Sequence, residues 1–208
     1  MSTAPVHFAP AGDTEELERA ELYGLLARLW LAPPDEAMLQ QFRVAVTQAP
    51  ESGAFLEGPW QALVGTLRAT TPEAAAAEHD ALFHGVGKPE VFAYGSYYLA
   101  GALNEKPLAA LRHDLAALGL TRDANALETE DHIAYGLEVM RYLIAGDDVA
   151  VCNLEQQRRF FRQHLQTWVG EFCEAVIAHP RAQTWAALAV FTREFMAVET
   201  QAFDMLEA

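Results

Sequence analysis

Ala81-Leu-Phe-His-Gly85, the run that continues it to Tyr94-Gly-Ser-Tyr-Tyr98, and Glu130-Asp-His132 at the head of an amphipathic segment decide how this chain is read. Leu82 and Phe83 are core residue types, and Gly85 suits the turn that ends a helix. Val91-Phe-Ala-Tyr94 has the aromatic and β-branched composition of a strand. The sequence offers no second strand to pair with it, so it is predicted as an extended loop. Glu130, Asp131 and His132 stand where the next helix, predicted over 130–144, begins. A lone strand candidate between helical segments makes the reading all-helical.

Composition agrees. The apolar residues are mostly Ala and Leu, good helix formers, and β-branched residues are sparse. A chain of 208 residues with 51% hydrophobic content can bury one sizeable core. No repeat, low-complexity tract or Gly/Pro-rich linker divides it. The expected architecture is an all-α, single-domain helical bundle over 13–208, preceded by a flexible tail over 1–12. The formal net charge of −15 excludes a nucleic-acid binder, because phosphate contacts need clustered Lys and Arg, and it favours basic ligands. The N-terminus has no basic leader with an apolar run. No apolar stretch approaches the roughly 20 residues that span a bilayer, so the expectation is a cytoplasmic protein without stable membrane insertion. Cys152 and Cys173 lie outside any Cys-x-x-Cys pattern and are expected as buried, reduced thiols.

Periodicity places the helices. Asp13 or Thr14 caps a first helix carrying Leu17, Leu22, Leu25, Leu26 and Leu29, and Pro33-Pro34 stops it. Asp35 starts a second helix through Met38, Leu39, Phe42 and Val46; 50–59 forms a connection. A third helix covers 60–69, and a fourth opens at Pro72, a residue suited to the first turn. Ser96 caps a helix that runs to about Leu118 with a weak point at Pro107, and Gly119 ends it. One long helix is then predicted over 149–178, because Leu154, Phe161, Leu165, Trp168, Phe172 and Val176 fall near a single face. His179-Pro180 ends it, and a last helix covers 181–203.

Two motifs have both structural and functional readings. Asp131 and His132 fall in the first turn of their helix, where a carboxylate satisfies free N–H groups; a cap and a loop-bonded histidine would account for them. Phe92, Tyr94, Tyr97 and Tyr98 offer apolar faces with polar tips, which suit a peptide groove or a plug for the bundle. Metal spacings are absent: there is no His-Glu-x-x-His, no Glu-x-x-His and no zinc-type cysteine pair. His79 and His84, five residues apart, are expected on different sides of a helix. A helical metalloprotein or small enzyme whose metal ligands come from distant helices is the alternative. Gly85-Val-Gly87-Lys88 lacks the phosphate-loop pattern, and neither Ser52 nor Ser96 has a Gly-x-Ser-x-Gly context, so a binding protein is expected rather than an enzyme.

The ordered motifs resemble those of the TorD/DmsD/NarJ-like family of chaperones that mature molybdenum-dependent redox enzymes. The resemblance rests on the Leu-Phe-x-Gly turn at Leu82 to Gly85, a Pro and aromatic loop with Pro89 leading to Ser96-Tyr97, and an acidic-Asp-His helix start at Glu130 to His132. It extends from about Glu78 to Trp168 and includes Gln156, Phe160, His164 and Leu165, which read physically as a core stripe with polar flanks. It implies a cytoplasmic chaperone without a cofactor, monomeric or weakly dimeric. Such a chaperone binds the apo form of a molybdopterin-containing oxidoreductase, its twin-arginine signal peptide, or both, until the cofactor is inserted. It also implies a client site at Asp131, His132, Glu130, Tyr94, Phe92, Ser96, Tyr97 and Pro89, with Asp131 attracting the basic part of the peptide and His132 donating to its backbone. Many members have tryptophan where this chain has Phe92 and Tyr94, which favours a formate dehydrogenase as client over the reductases. An adaptor for folded subunits is a further reading.

Overall fold

The computed structural model describes residues 11–44, 55–85 and 87–206. Within them the chain forms ten α-helices and one π-turn, with no strand. The tail predicted over 1–12 lies almost wholly outside these residues, as do Val46 and the first half of the connection over 50–59, while α3 already begins at Glu57. The helices are α1 (Ala11–Leu31), α2 (Glu36–Val44), α3 (Glu57–Ala69), α4 (Pro72–His79), α5 (Gly95–Ala100), α6 (Lys106–Ala117), α7 (Ile133–Ala145), α8 (Leu154–His164), α9 (Val169–Ile177) and α10 (Thr184–Met205).

The core is continuous. α1 lies along α7, and α10 packs on α3, α4 and α9. Tyr23, Leu26 and Trp30 of α1 are buried with Leu137 and Met140 of α7 and with Phe172, Trp185, Phe191 and Phe195. Polar groups inside are paired across long sequence distances. The Trp30 indole donates to Thr192 (3.0 Å), and buried Glu199 accepts from the Tyr23 hydroxyl (2.8 Å) and the Arg19 guanidinium (2.9 Å).

Several starts and stops follow local chemistry. The Asp35 carboxylate accepts from Met38 N–H (2.8 Å) and caps α2; the Thr71 hydroxyl accepts from Ala74 N–H (3.2 Å) and caps α4, with Pro72 in its first turn. Gly119 ends α6 with φ +73°. The first helix begins at Ala11, so Asp13 and Thr14 lie inside it instead of capping it.

Two long helices predicted from periodicity are each broken. The segment headed by Ser96 divides into α5 and α6 at a loop where Gly101 (φ +77°) and Asn104 (φ +61°) turn left-handed, and Pro107 falls in the first turn of α6. The predicted 149–178 helix is α8 and α9, joined by a turn at 165–168. No Gly or Pro marks that break. The Trp168 indole N–H turns back to the His164 carbonyl (2.7 Å), which makes up for a lost helical bond. Leu154, assigned to the core face, is about half exposed.

α4 runs directly into a π-turn at Asp80–His84, closed by Gly85 N–H on the Asp80 carbonyl (3.0 Å). Bonding five residues back brings His79 and His84 onto one side, with ring centroids 5.0 Å apart. That corrects the expectation that they diverge. Gly85 takes φ +38°, and a Cβ there would meet the Lys88 carbonyl oxygen at 2.2 Å, so only glycine fits. The two cysteines are free: Cys173 is buried, which pushes its thiol pKa up, and Cys152 is half-buried. Among the described residues no helix is long and apolar enough to cross a membrane.

Candidate functional site

The two motif segments meet. Gly95 N–H donates to the Asp131 carbonyl and Ile133 N–H to the Ala93 carbonyl, both at 2.9 Å, making an isolated antiparallel bridge of Tyr94 with His132. The extended loop over 91–94 therefore finds its backbone partner in the turn before α7 rather than in a strand.

Asp131 does not cap its own helix. Its carboxylate accepts from Ser96 N–H (2.9 Å) and from the Thr129 hydroxyl (2.7 Å), so it sits at the start of α5, a helix 35 residues away in sequence. Ser96, expected as the cap of α5, lies inside it, fully buried, with its hydroxyl unpartnered among the described residues. The cap of α7 is His132, whose Nδ1 accepts from Ala134 N–H (3.2 Å). With Nδ1 accepting, a neutral ring carries its proton on Nε2. Burial pushes the His132 pKa down to about 4, against the pull of Glu128 and Asp131. Tyr94 lies edge-on to His132 (5.2 Å between centroids) and donates its hydroxyl to Glu128. Burial and that carboxylate both push the Tyr94 pKa up. Glu130 is held by Arg112 (2.8 Å), with Arg122 further off at 3.9 Å, and the hydrogen bond from Arg112 keeps its carboxyl below the usual range despite desolvation.

Ser96, Glu130, Asp131 and His132 line a groove of about 300 Å³ between α5, α6 and the α8–α9 turn. Its floor is apolar: Leu99, Pro107, Leu111, Phe160, Leu165 and Trp168. Close approach of backbone to side chain shapes it. A Cβ on Gly95 would lie 3.0 Å from the Trp168 ring, and one on Gly136 would lie 2.7 Å from Leu165. Glu130, Asp131 and His132 belong to its polar rim, as does His164, whose Nε2 pairs with Asp114 at 2.8 Å; a smaller cavity of about 120 Å³ shares Asp114 and His164 and extends to Gln156 and Arg159.

Of the residues singled out from sequence, Ser96, Glu130, Asp131 and His132 line this groove, whereas Pro89, Phe92, Tyr94 and Tyr97 do not. Phe92 and Tyr97 stack on each other (4.2 Å), with the Lys88 ammonium over the Phe92 ring (5.6 Å). Tyr98 stacks on Trp168 (5.7 Å) and ties this cluster to the groove floor, while its hydroxyl donates to the Phe92 carbonyl (2.8 Å). The aromatic segment thus acts partly as a brace. Of the stripe expected as core with polar flanks, Phe160, Leu165 and Trp168 are core and groove floor at once, and His164 is a half-buried polar flank on the rim. The signal for Trp168 and His164 was their polar edge; nothing in the sequence pointed to Asp114, Leu99 or Leu111.

Comparison with known proteins bears on this arrangement. Residues 50–174 match the family model described as the nitrate reductase delta subunit. The chain is 27% identical over 205 residues to the chaperone protein TorD of Vibrio cholerae serotype O1, covering 91% of this chain and 93% of that protein. It is 26% identical over 202 residues to the chaperone protein TorD of Aliivibrio fischeri, covering 88% and 94%. A crystal structure of a redox enzyme maturation protein from Archaeoglobus fulgidus matches with a TM-score of 0.58 and 19% identity, over 94% of this chain and 99% of that one. At that identity the last likeness is one of fold.

Proposed function

The chain belongs to the TorD/DmsD/NarJ-like family of redox-enzyme maturation chaperones, and from that premise we propose that it binds the apo form of a molybdopterin-containing oxidoreductase through the twin-arginine signal peptide of that client. Binding takes place in the cytoplasm, by a monomeric or weakly dimeric chaperone, and delays export until the cofactor is inserted. The observation that carries this reading is the groove: an apolar floor beside an acidic rim. A signal peptide offers the matching order, basic residues followed by an apolar stretch.

The division of labour follows the geometry. The apolar stretch lies over Leu99, Leu111 and Trp168. The client's arginines approach Glu130, and the Nε2–H of His132 donates to the peptide backbone. Asp131, with both oxygens engaged inside the chain, holds the rim in place and adds its negative field. Tyr94 acts through Glu128 and His132 rather than by direct contact.

Arg112 already occupies Glu130, standing where a client arginine would. Calorimetry with the cognate peptide tests the scheme. Glu130→Gln should weaken binding about fivefold, the order expected for one partly exposed ion pair, whereas Arg112→Ala should strengthen it by freeing the carboxylate. Binding should weaken as salt rises, because charge attraction is screened over about 8 Å at physiological ionic strength, and persist through the apolar floor. Failure of both peptide and apoenzyme to bind would overturn the assignment. Binding of the apoenzyme alone would move the contact to mature parts of the client.

A further inference from the structure

We propose that His79, Asp80 and His84 form a binding site for one divalent transition-metal ion, assembled by the π-turn that follows α4. Each residue offers a ligand atom, and the three atoms lie within 4.8 Å of one another. The Asp80 carboxylate and His84 Nδ1 are 3.0 Å apart. Two ligands at 2.0–2.2 Å from a tetrahedral ion stand about 3.4 Å apart, so an ion entering between them needs only a small opening of that pair.

The independent sign of a missing ligand is His79. Its side chain is packed among Phe83, His84 and Trp185, with only 4% of the residue exposed, and its Nδ1 has no hydrogen-bond partner among the described residues. A buried imidazole nitrogen without a partner is costly and rare. Burial favours the neutral ring, the form that ligates. His84 and Asp80 are more than half exposed and give the ion a path of entry.

The spacing that seemed to exclude a metal, two histidines five residues apart, is what a π-turn requires: bonding to the fifth residue back places them on one side. Two imidazoles and one carboxylate suit zinc and its neighbours, cobalt, nickel and copper, and do not suit magnesium or calcium, which take oxygen ligands. Water completes a tetrahedral ion. The site lies apart from the groove, whose lining includes none of the three residues.

The test uses the untagged full chain, freed of metal with a chelator, and zinc titrated in competition with a chromophoric chelator. Cobalt absorption in the visible range reports ligand geometry. One ion per chain is expected, with affinity lowered at least tenfold in His84→Ala and in Asp80→Asn. Both positions are exposed, so these variants should keep the helical circular dichroism of the parent. His113→Ala, an exposed histidine on α6, should bind as the parent does. Absence of saturable binding at one ion per chain would overturn the proposal. So would affinity unchanged by both His84→Ala and Asp80→Asn, which would mean zinc held adventitiously by other surface groups.

Discussion

Replacing Asp131 with alanine should cost far more stability than removing an ordinary helix cap. The substitution removes the acceptor of Ser96 N–H, in a residue with no exposed surface, and of the Thr129 hydroxyl. A buried N–H left without a partner costs about 1–3 kcal/mol, and loss of a negative charge at a helix N-terminus about 0.3–1 kcal/mol. Thr129 is half-buried and can turn to water, so its share is small. Together these give about 1.5–4 kcal/mol. For a chain of this length the melting temperature should fall by roughly 3–15 °C. Asp131→Asn keeps an acceptor for Ser96 N–H but forfeits the charge, and should lose about 0.5–1 kcal/mol. Urea denaturation of both variants and of Thr129→Val, closed as a double-mutant cycle, measures the coupling between Thr129 and Asp131, expected at about 0.5 kcal/mol or more. A loss below about 0.5 kcal/mol for Asp131→Ala would refute the bridging cap and return Asp131 to the role of a free rim carboxylate.

Glu78 performs the same task elsewhere: its carboxylate accepts from the N–H groups of Gln183 (2.7 Å), Thr184 (3.1 Å) and Trp185 (3.0 Å) at the start of α10. Glu78→Ala should destabilise by about 2 kcal/mol in urea unfolding, the upper end for a cap, and a change within experimental error would remove it from that role. His132 links stability to pH. Its folded pKa of about 4 lies below the ordinary 6.5, so the fold favours the neutral ring; the stabilisation is complete above pH 6.5 and is lost as pH falls toward 4. The interval corresponds to roughly 3 kcal/mol. Tyr94, Glu128, Asp131, Tyr135 and, at longer range, His79 and His84 surround the ring, and burial outweighs them all. His132→Asn, which keeps an acceptor for Ala134 N–H, should therefore lose roughly 3 kcal/mol less than the parent between pH 7 and pH 4. Equal losses in the two proteins would show that His132 does not carry this dependence.

The helical class was legible because period and composition agree, and the helix ends that Asp35, Pro72 and Gly119 mark were legible too. The break between α8 and α9 was not. Its apolar positions keep a helical spacing straight through the turn, and the group that replaces the missing bond is the indole of Trp168, which reads in sequence as one more core residue. The π-turn was hidden for a related reason. Asp80 to His84 has ordinary helix-forming composition, and only the backbone bond from Gly85 to Asp80 reveals that residues five apart share a side. In each case a side chain or a backbone bond decides the geometry, and periodicity senses neither.

The site residues were legible as a set but not in their roles. Asp131 and His132 each cap a helix, but Asp131 serves the one that Ser96 was expected to cap, and His132 the one assigned to Asp131. The consequence reaches function. The acid-His motif holds α5 against the start of α7, and those two elements, with α6 and the α8–α9 turn, are the walls of the groove. A substitution at Asp131 therefore alters groove shape and stability together, so a lost client affinity in that variant alone says nothing about contact. Glu130 is different. Its carboxylate pairs with Arg112 and takes a backbone bond only from its own residue, so its removal changes rim charge without removing a bond that ties α5 to α7. Glu130 and Arg112 are for that reason the positions at which recognition can be separated from architecture.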